Sequence, residues 1–299
     1  MSLFQAIIIG IVQGLTEFLP VSSTAHMRIV PALMGWSDPG SAFSAVIQIG
    51  TLVAVLAYFW RDLMRIGIAV LSDLQQGKFA NSPDGRVGWM IILGTIPIVV
   101  LGLLFEDKID TTLRSLYVIC ASLIAVAILL AVAEWLIRAG RLEGRSMSQI
   151  NWRDATVVGV AQAAALVPGT SRSGVTLLGG LVSGLNREAA ARYSFLLSVP
   201  AVFAAGVYKL VKERDALLGS QSQAINLIAG LIAAAIVGYL SIDWLLRFFR
   251  KRSTFVFIVY RIAVAVLLLI LLRTGQIVDN LGPSVAVEAL RQDVASVIP

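Results

Sequence analysis

Gln13-Gly14-Leu15-Thr16-Glu17-Phe18-Leu19-Pro20-Val21-Ser22-Ser23-Thr24-Ala25-His26 begins as part of an apolar helix and then breaks it. The break carries Pro20 and three consecutive hydroxyls, with an acid before it and a histidine after it. A second stretch, Val167-Pro168-Gly169-Thr170-Ser171-Arg172-Ser173-Gly174, has the same build with an arginine inside. Each break interrupts a long apolar run, about 3–35 and about 155–185. Irregular backbone at membrane depth is tolerated only where it is buried in protein or lines a wet cavity. Both stretches therefore predict broken or re-entrant helical hairpins.

The rest of the chain agrees with a membrane setting. Of 299 residues, 58% are hydrophobic and only 14% charged, and mean hydropathy is +0.84. A soluble globule of this size could not bury that much apolar surface. Spans of about 20 apolar residues are predicted at about 41–60, 88–105, 115–137, 188–210, 224–246 and 254–272. The N-terminus lacks the basic start of a cleavable signal peptide. A net charge of +6 is too small and too scattered for nucleic-acid binding, and no nucleic-acid partner is expected. The single cysteine, Cys120, excludes a disulfide framework, and the single histidine, His26, excludes any mechanism that needs two. The expected fold class is an all-α polytopic membrane protein: about six transmembrane helices, two re-entrant hairpins and inverted-topology repeats. Residues 1–275 form one integral-membrane domain, and 276–299 form a tail with no assigned role.

The two breaks resemble each other. Gly10-Ile11-Val12-Gln13 aligns with Gly159-Val160-Ala161-Gln162 at an offset of 149, although Pro20 and Pro168 fall one residue out of step. This predicts repeats of about 1–140 and 150–275, each a hairpin followed by three spans. Three is odd, so the second copy must be inverted, an arrangement that places a site near the bilayer midplane. Lys and Arg then divide 13 to 8 between the two sides, with 3 inside apolar segments. The richer side is predicted to be cytoplasmic, which puts both termini and the site outside. Arg192 and Arg261, in or near spans, are expected to pair with an acid such as Glu188, Glu134 or Asp243.

Ionisable groups inside a membrane are expensive and are functional candidates by default. Gln13 and Glu17 are four apart and share one helix face. Their oxygens suit a hard divalent cation, Mg²⁺ or Ca²⁺, whose other ligands come from phosphate and water. Ser22, Ser23 and Thr24 are N-cap candidates for a helix starting after Pro20, and Thr170, Ser171 and Ser173 for one after Pro168. Two opposed helix N-termini make an anion site. Arg172 adds a planar fork for phosphate oxygens. The expected phosphate-binding set is Ser22, Thr24, Gly169, Thr170, Ser171, Arg172 and Ser173. The expected catalytic set is Glu17, Ser23, His26 and Arg172. His26 is either a general base, acting on Ser23 or water, or itself the nucleophile.

These two motifs, with Gln48-Ile49-Gly50 and Ser194-Phe195-Leu196-Leu197, closely resemble the signatures of the undecaprenyl-diphosphate phosphatase family, the bacitracin-resistance proteins. The resemblance covers about 1–273. It implies a bacterial inner-membrane enzyme that hydrolyses a C55 polyprenyl diphosphate lipid to the monophosphate and inorganic phosphate. That step recycles the carrier for peptidoglycan and other envelope polymers. It also implies a divalent-cation requirement, a metal-binding role for Gln13 and Glu17, and catalytic roles for Ser23, His26 and Arg172. Gln13 departs from an acid-rich version of the motif and removes one possible anionic ligand. Ala25 stands where the family commonly has glycine. Membrane lipids are the other expected partners, and the oligomeric state, monomer or homodimer, is open.

A transporter or flippase would share the repeats and broken helices, but it has no need of Glu17, Ser23 and His26 in one break. The phosphatidic-acid type of membrane phosphatase needs a second histidine. A purely structural subunit has no reason to place ionisable groups at two breaks.

Overall fold

The computed structural model describes residues 1–279; the remainder of the expected tail lies outside the described residues. The helices are α1 (Leu3–Phe18), α2 (Ser23–Leu33), α3 (Gly40–Val46), α4 (Gln48–Tyr58), α5 (Trp60–Gln75), α6 (Pro83–Leu104) and α7 (Glu106–Asp110). They continue as α8 (Leu116–Arg138), α9 (Trp152–Ala163), α10 (Arg172–Val182), α11 (Arg187–Lys212), α12 (Arg214–Leu218), α13 (Gln221–Phe249) and α14 (Phe255–Arg273). Six segments are long and apolar enough to cross a membrane: Gly40–Tyr58 (α3 and α4 joined at Ile47), α6, α8, α11, α13 and α14. All six coincide with the spans expected from the sequence. Exposed apolar side chains such as Ile96, Leu129, Ile232 and Val266 dress their outer faces, as a hydrocarbon solvent requires.

The two unusual stretches form helix–break–helix units, α1–α2 and α9–α10. Their first arms pack through glycine. In α1, a Cβ on Gly10 would collide with the Gly230 carbonyl oxygen of α13; in α9, a Cβ on Gly159 would lie 2.8 Å from Gly94 Cα of α6. Small residues let helix backbones approach closely where lipid supplies no hydrophobic drive to associate. The second arms are buried more deeply. Ala25 and Ile29 of α2 pack on Ile119 and Leu123 of α8 and on Ala265 and Leu268 of α14. α10 packs on α9 and α11.

Helix α5 is an addition to the elements expected from the sequence. Trp60, Met64, Ile68, Leu71 and Leu74 are exposed along one stripe, at the three- and four-residue spacing of an amphipathic helix. Such a face fits a helix lying in the membrane–water interface. Its charged side contributes to the arginine pairing, which differs from expectation. Arg192 pairs with Asp62 of α5 at 2.8 Å, while Glu188, Glu134 and Asp243 are taken by Arg250, Arg187 and Arg247. Among the described residues no acid pairs with Arg261, which binds carbonyl groups instead. Sequence distance hid the pairing of Arg192, because only packing brings Asp62 of α5 beside α11. The first residues after α14 are tied down: Asp279 accepts from the Leu116 backbone N–H, at 2.8 Å, and from the Ser115 hydroxyl, at 2.5 Å.

Candidate active site

Each second arm starts at a serine with the same uncommon backbone. Ser22 has φ 75° and ψ 97°, and Ser171 has φ 73° and ψ 116°. The left-handed region is costly for a residue with a Cβ. Both serines then cap their helices: Ser22 Oγ accepts from Ala25 N–H at 3.3 Å, and Ser171 Oγ from Gly174 N–H at 3.1 Å. The next two backbone N–H groups in each case, Ser23 and Thr24 in α2 and Arg172 and Ser173 in α10, belong to the first turn and have no intrahelical acceptor. With the positive ends of two helix dipoles, these groups suit an anion.

Of the hydroxyls considered as caps, then, only Ser22 and Ser171 serve. Ser23 points elsewhere. Its hydroxyl donates to Glu17 Oε2 at 2.6 Å. Gln13 Nε2 donates to the same oxygen, also at 2.6 Å, and the Arg172 guanidinium donates to Glu17 Oε1. Glu17 is therefore the centre of the site, receiving an amide, a hydroxyl and a guanidinium from three positions. Its side chain is 4% exposed and that of Arg172 15%. At such burial a charge must be paired, and removing either partner strands the other.

The remaining candidates divide between site and scaffold. Ser173 donates to the Leu19 carbonyl at 3.0 Å and lies 3.1 Å from Ser171 Oγ, so it ties one break to the other. Thr170 is spent within its own break, on the Val167 and Ala164 carbonyls. Gly169, at φ 94°, lies where a Cβ would sit 2.7 Å from the Ile119 carbonyl oxygen; glycine is needed there for packing. Thr24 is half-buried on the first turn of α2. His26 does not bond to Ser23. Its Nδ1 is 2.7 Å from the Ser22 carbonyl and its Nε2 is 2.7 Å from the Tyr260 hydroxyl. A carbonyl only accepts, so Nδ1 carries the proton and the neutral ring keeps its lone pair on Nε2.

Two residues of α14 escaped sequence reasoning as parts of the site. Tyr260 is one. The other is Arg261, fully buried, which donates to the carbonyls of Pro20 (3.1 Å), Gly169 (2.8 Å) and Thr170 (3.1 Å), and to Ser122 and Leu123 of α8. One guanidinium thus gathers carbonyls that both breaks leave without helical partners. An arginine inside an apolar span was the signal available; its partners, more than 90 residues away, were not legible.

A cation can be tested against this donor set. Among the described residues, no three His, Cys, Asp or Glu side chains come together, so an all-protein metal cage is absent there. Gln13 Oε1, however, is buried without a hydrogen-bond partner beside the Glu17 carboxylate. One carboxylate and one free amide oxygen fit a hard cation that takes most of its ligands from phosphate and water. The counterpart Gln162 also has a buried, unpartnered Oε1, but Leu166 stands where Glu17 stands in the first unit. The offset of 149 likewise sets Arg172 opposite Ser23. One unit supplies the acid and the hydroxyl, and the other supplies the cation.

The fold and site define a polytopic helical membrane protein in which a buried carboxylate, Glu17, meets a serine and a guanidinium between two broken helices. The chain belongs to the family described as bacitracin resistance protein BacA, which it matches over residues 6–267. It is 57% identical over 280 residues to an undecaprenyl-diphosphatase of Prosthecochloris aestuarii, covering 93% of this chain and 99% of that one. It is 58% identical over 278 residues to an undecaprenyl-diphosphatase of Chlorobium phaeovibrioides, covering 92% and 99%. A protein of the same description from Chlorobaculum tepidum is 54% identical over 281 residues, covering 93% and 99%.

Proposed function

We propose that this protein is an undecaprenyl-diphosphatase, cleaving the C55 lipid diphosphate to the monophosphate and inorganic phosphate. The observation that carries the reading is the bonding of Glu17 to both Ser23 and Arg172, in a chain similar over nearly its whole length to proteins of that description. A carrier needs an anion site but no activated hydroxyl, so the transporter reading is the weaker one.

In this reading Arg172 leaves Glu17 for the incoming diphosphate, where its fork matches phosphate oxygens, and the N-termini of α2 and α10 take further negative charge. Glu17, freed of its guanidinium, accepts the proton of Ser23 as Oγ attacks the terminal phosphorus. The P–O bond to the lipid monophosphate breaks and a phosphoserine forms. Water then attacks that phosphorus and gives up a proton to His26 Nε2, which exchanges its resting hydrogen bond from Tyr260 for the incoming proton; the Oγ–P bond breaks, and Ser23 regains a proton from Glu17. Phosphoryl transfer of this kind is mostly positioning and charge neutralisation. Gln13 and Glu17 would hold a divalent cation, Mg²⁺ or Ca²⁺, which supplies extra charge neutralisation for the diphosphate when bound.

The choice between Ser23 and His26 as the attacking group turns on which serine caps α2. A capping hydroxyl is occupied by backbone N–H groups and is a blunted nucleophile. If Ser23 were the cap, direct attack by His26 would be favoured. Ser22 does the capping, which leaves Ser23 free to be activated by Glu17. Rapid quench with labelled diphosphate tests this. The expected result is an acid-stable label on Ser23 formed as fast as turnover, lost in Ser23→Ala. An acid-labile label lost in His26→Ala would transfer the attack to the histidine.

The chain would sit in the bacterial inner membrane with both termini and the site facing outward, a reading supported by the bias of basic residues. Exposed Ser148 and Ser220 provide the test once Cys120 is replaced. A cysteine at 220 should react with an impermeant reagent added to intact spheroplasts, and one at 148 should not; the reverse pattern would invert the topology.

A further inference from the structure

The most informative contact outside the Glu17 cluster is that of His26 with Tyr260. His26 is buried at 6% exposure, while Tyr260, on α14, is 42% exposed. Tyr260 lies more than one helical turn inside a span, flanked on the outer face by Val256, Val259 and Ile262. Tyrosine is common at the rims of membrane proteins, where its hydroxyl meets water. A hydroxyl among lipid-facing valines and isoleucines has no such outlet and is costly unless it is bonded. Here it reaches inward, 2.7 Å from His26 Nε2, with the two rings nearly parallel at 11° and their centroids 5.7 Å apart. The Ser22 carbonyl already fixes the proton on Nδ1. The neutral ring can then only accept at Nε2, and the tyrosine must donate.

The surroundings of α14 add to the case. The consecutive spans α13 and α14 do not pack backbone to backbone: α13 lies on α1 and α4, and α14 on α8. They meet through aromatic rings near their connection, where Trp244 and Phe248 of α13 touch Phe257. Tyr260 follows Phe257 by about one turn. One aromatic ring therefore stands between the lipid-facing surface and the buried histidine.

We propose that Tyr260 is a positioning residue for the hydrolytic reaction, holding the His26 ring with its lone pair on Nε2, from the membrane-facing wall of the site. The inference rests on the diphosphatase reading for its kinetic consequence, but not for its structural content. With the ring held between the Ser22 carbonyl and the Tyr260 hydroxyl, Nε2 is the only basic nitrogen, and its direction is set before the lipid arrives.

The chain has one histidine, so ¹⁵N-histidine labelling of protein purified through a histidine-free tag reports on His26 alone. In nanodiscs, with the ring neutral, the wild type should show a single Nδ1–H tautomer with a hydrogen-bonded Nε2. Tyr260→Phe should move the Nε2 resonance to that of a nitrogen without a donor. It should also lower kcat about tenfold, the equivalent of one hydrogen bond, with a smaller change in KM for the C55 diphosphate. Tyr239→Phe, which removes a hydroxyl from the neighbouring span, should alter neither. An unchanged Nε2 resonance in Tyr260→Phe would overturn the proposal, as would a shifted resonance with unchanged kcat. A wild type inactive on the diphosphate would overturn the reading of the activity, whereas the spectrum would still decide whether Tyr260 holds the ring.

Discussion

Ser22 and Ser171, 149 residues apart, occupy the same left-handed backbone conformation, at φ 75° and 73°, and each caps the helix that follows it. The two breaks are thus alike in mechanism as well as in composition. The serine Cβ carries a conformational cost that glycine would avoid, while the serine Oγ satisfies a helix N–H. This sets an order for substitutions. Ser171→Gly relieves the backbone and loses little as a cap, whereas Ser171→Ala keeps the strain and loses the cap, costing about 1 kcal/mol. In thermal unfolding, Gly should stand above Ala and within about 0.5 kcal/mol of the wild type. Ala more stable than Gly would refute the argument from strain.

Arg261 should be among the least replaceable residues for stability. It donates to five carbonyl groups from three segments. Arg261→Met leaves the Pro20, Gly169 and Thr170 carbonyls buried without donors, at a cost of roughly 3 kcal/mol or more. Arg261→Lys, with three donors on a compact head, should recover only part. The check is the unfolding midpoint of each variant in the same detergent. A midpoint for Arg261→Met within about 2 °C of the wild type, corresponding to under 1 kcal/mol for a chain of this size, would remove Arg261 from this role.

Chelation should abolish phosphate release, and Mg²⁺ or Ca²⁺ should restore it. Gln13→Glu should be tolerated and lower the cation concentration needed, because it adds charge where an unpartnered oxygen already lies beside Glu17. Full turnover by demonstrably metal-free protein would dismiss the cation. A loss of more than about a hundredfold in Gln13→Glu, some 2.7 kcal/mol, would mean that the Gln13 amide proton on Glu17 matters more than its oxygen.

Glu106, just beyond α6, is held by Lys209 at 2.6 Å, Lys212 at 2.9 Å and Tyr208 at 2.9 Å. The hydrogen bond from Lys209, with those from Lys212 and Tyr208, outweighs the opposing effect of burial and draws its carboxyl down from 4.5 to about 2. The folded state thus prefers the ionised form more than the unfolded state does. The stabilisation is complete above the ordinary carboxylate range and fades as pH falls from about 4.5 towards 2. Glu106→Gln should flatten that part of the stability–pH curve, and high salt should shrink the difference between the two proteins. Identical curves for variant and wild type would show that the clasp contributes nothing.

Replacing Arg172 should be more damaging to turnover than to folding. Arg172→Ala should cost about 10³-fold in kcat/KM, the scale seen when a transition-state cation is removed. Arg172→Lys should remain far below the wild type, since a point charge cannot reproduce a planar fork. Activity in Arg172→Lys within about tenfold of the wild type would reduce the residue to a simple counter-charge.

Sequence alone determined much of this protein. A span is a local property, set by length and apolarity against a bilayer of fixed thickness, so all six could be placed from the chain. Proline, glycine and clustered hydroxyls are local signals too, and they located both breaks. Gln13 and Glu17 could be paired because four residues make one helical turn. Tertiary structure decided what depended on distant backbone meeting in space. It chose Ser22 and Ser171 as the caps, which local composition could not separate from their neighbours. It turned Ser23 towards Glu17 and His26 towards Tyr260, because α14 and the first break pack together. It gave Arg261 carbonyl partners in place of an acid, since the two breaks leave those groups without helical bonds just where α14 passes. It also carried Arg172 across from the other unit to Glu17, 155 residues away. A hydrogen bond needs its two atoms within about 3 Å, and residues so far apart in the chain meet that condition only once the helices have packed.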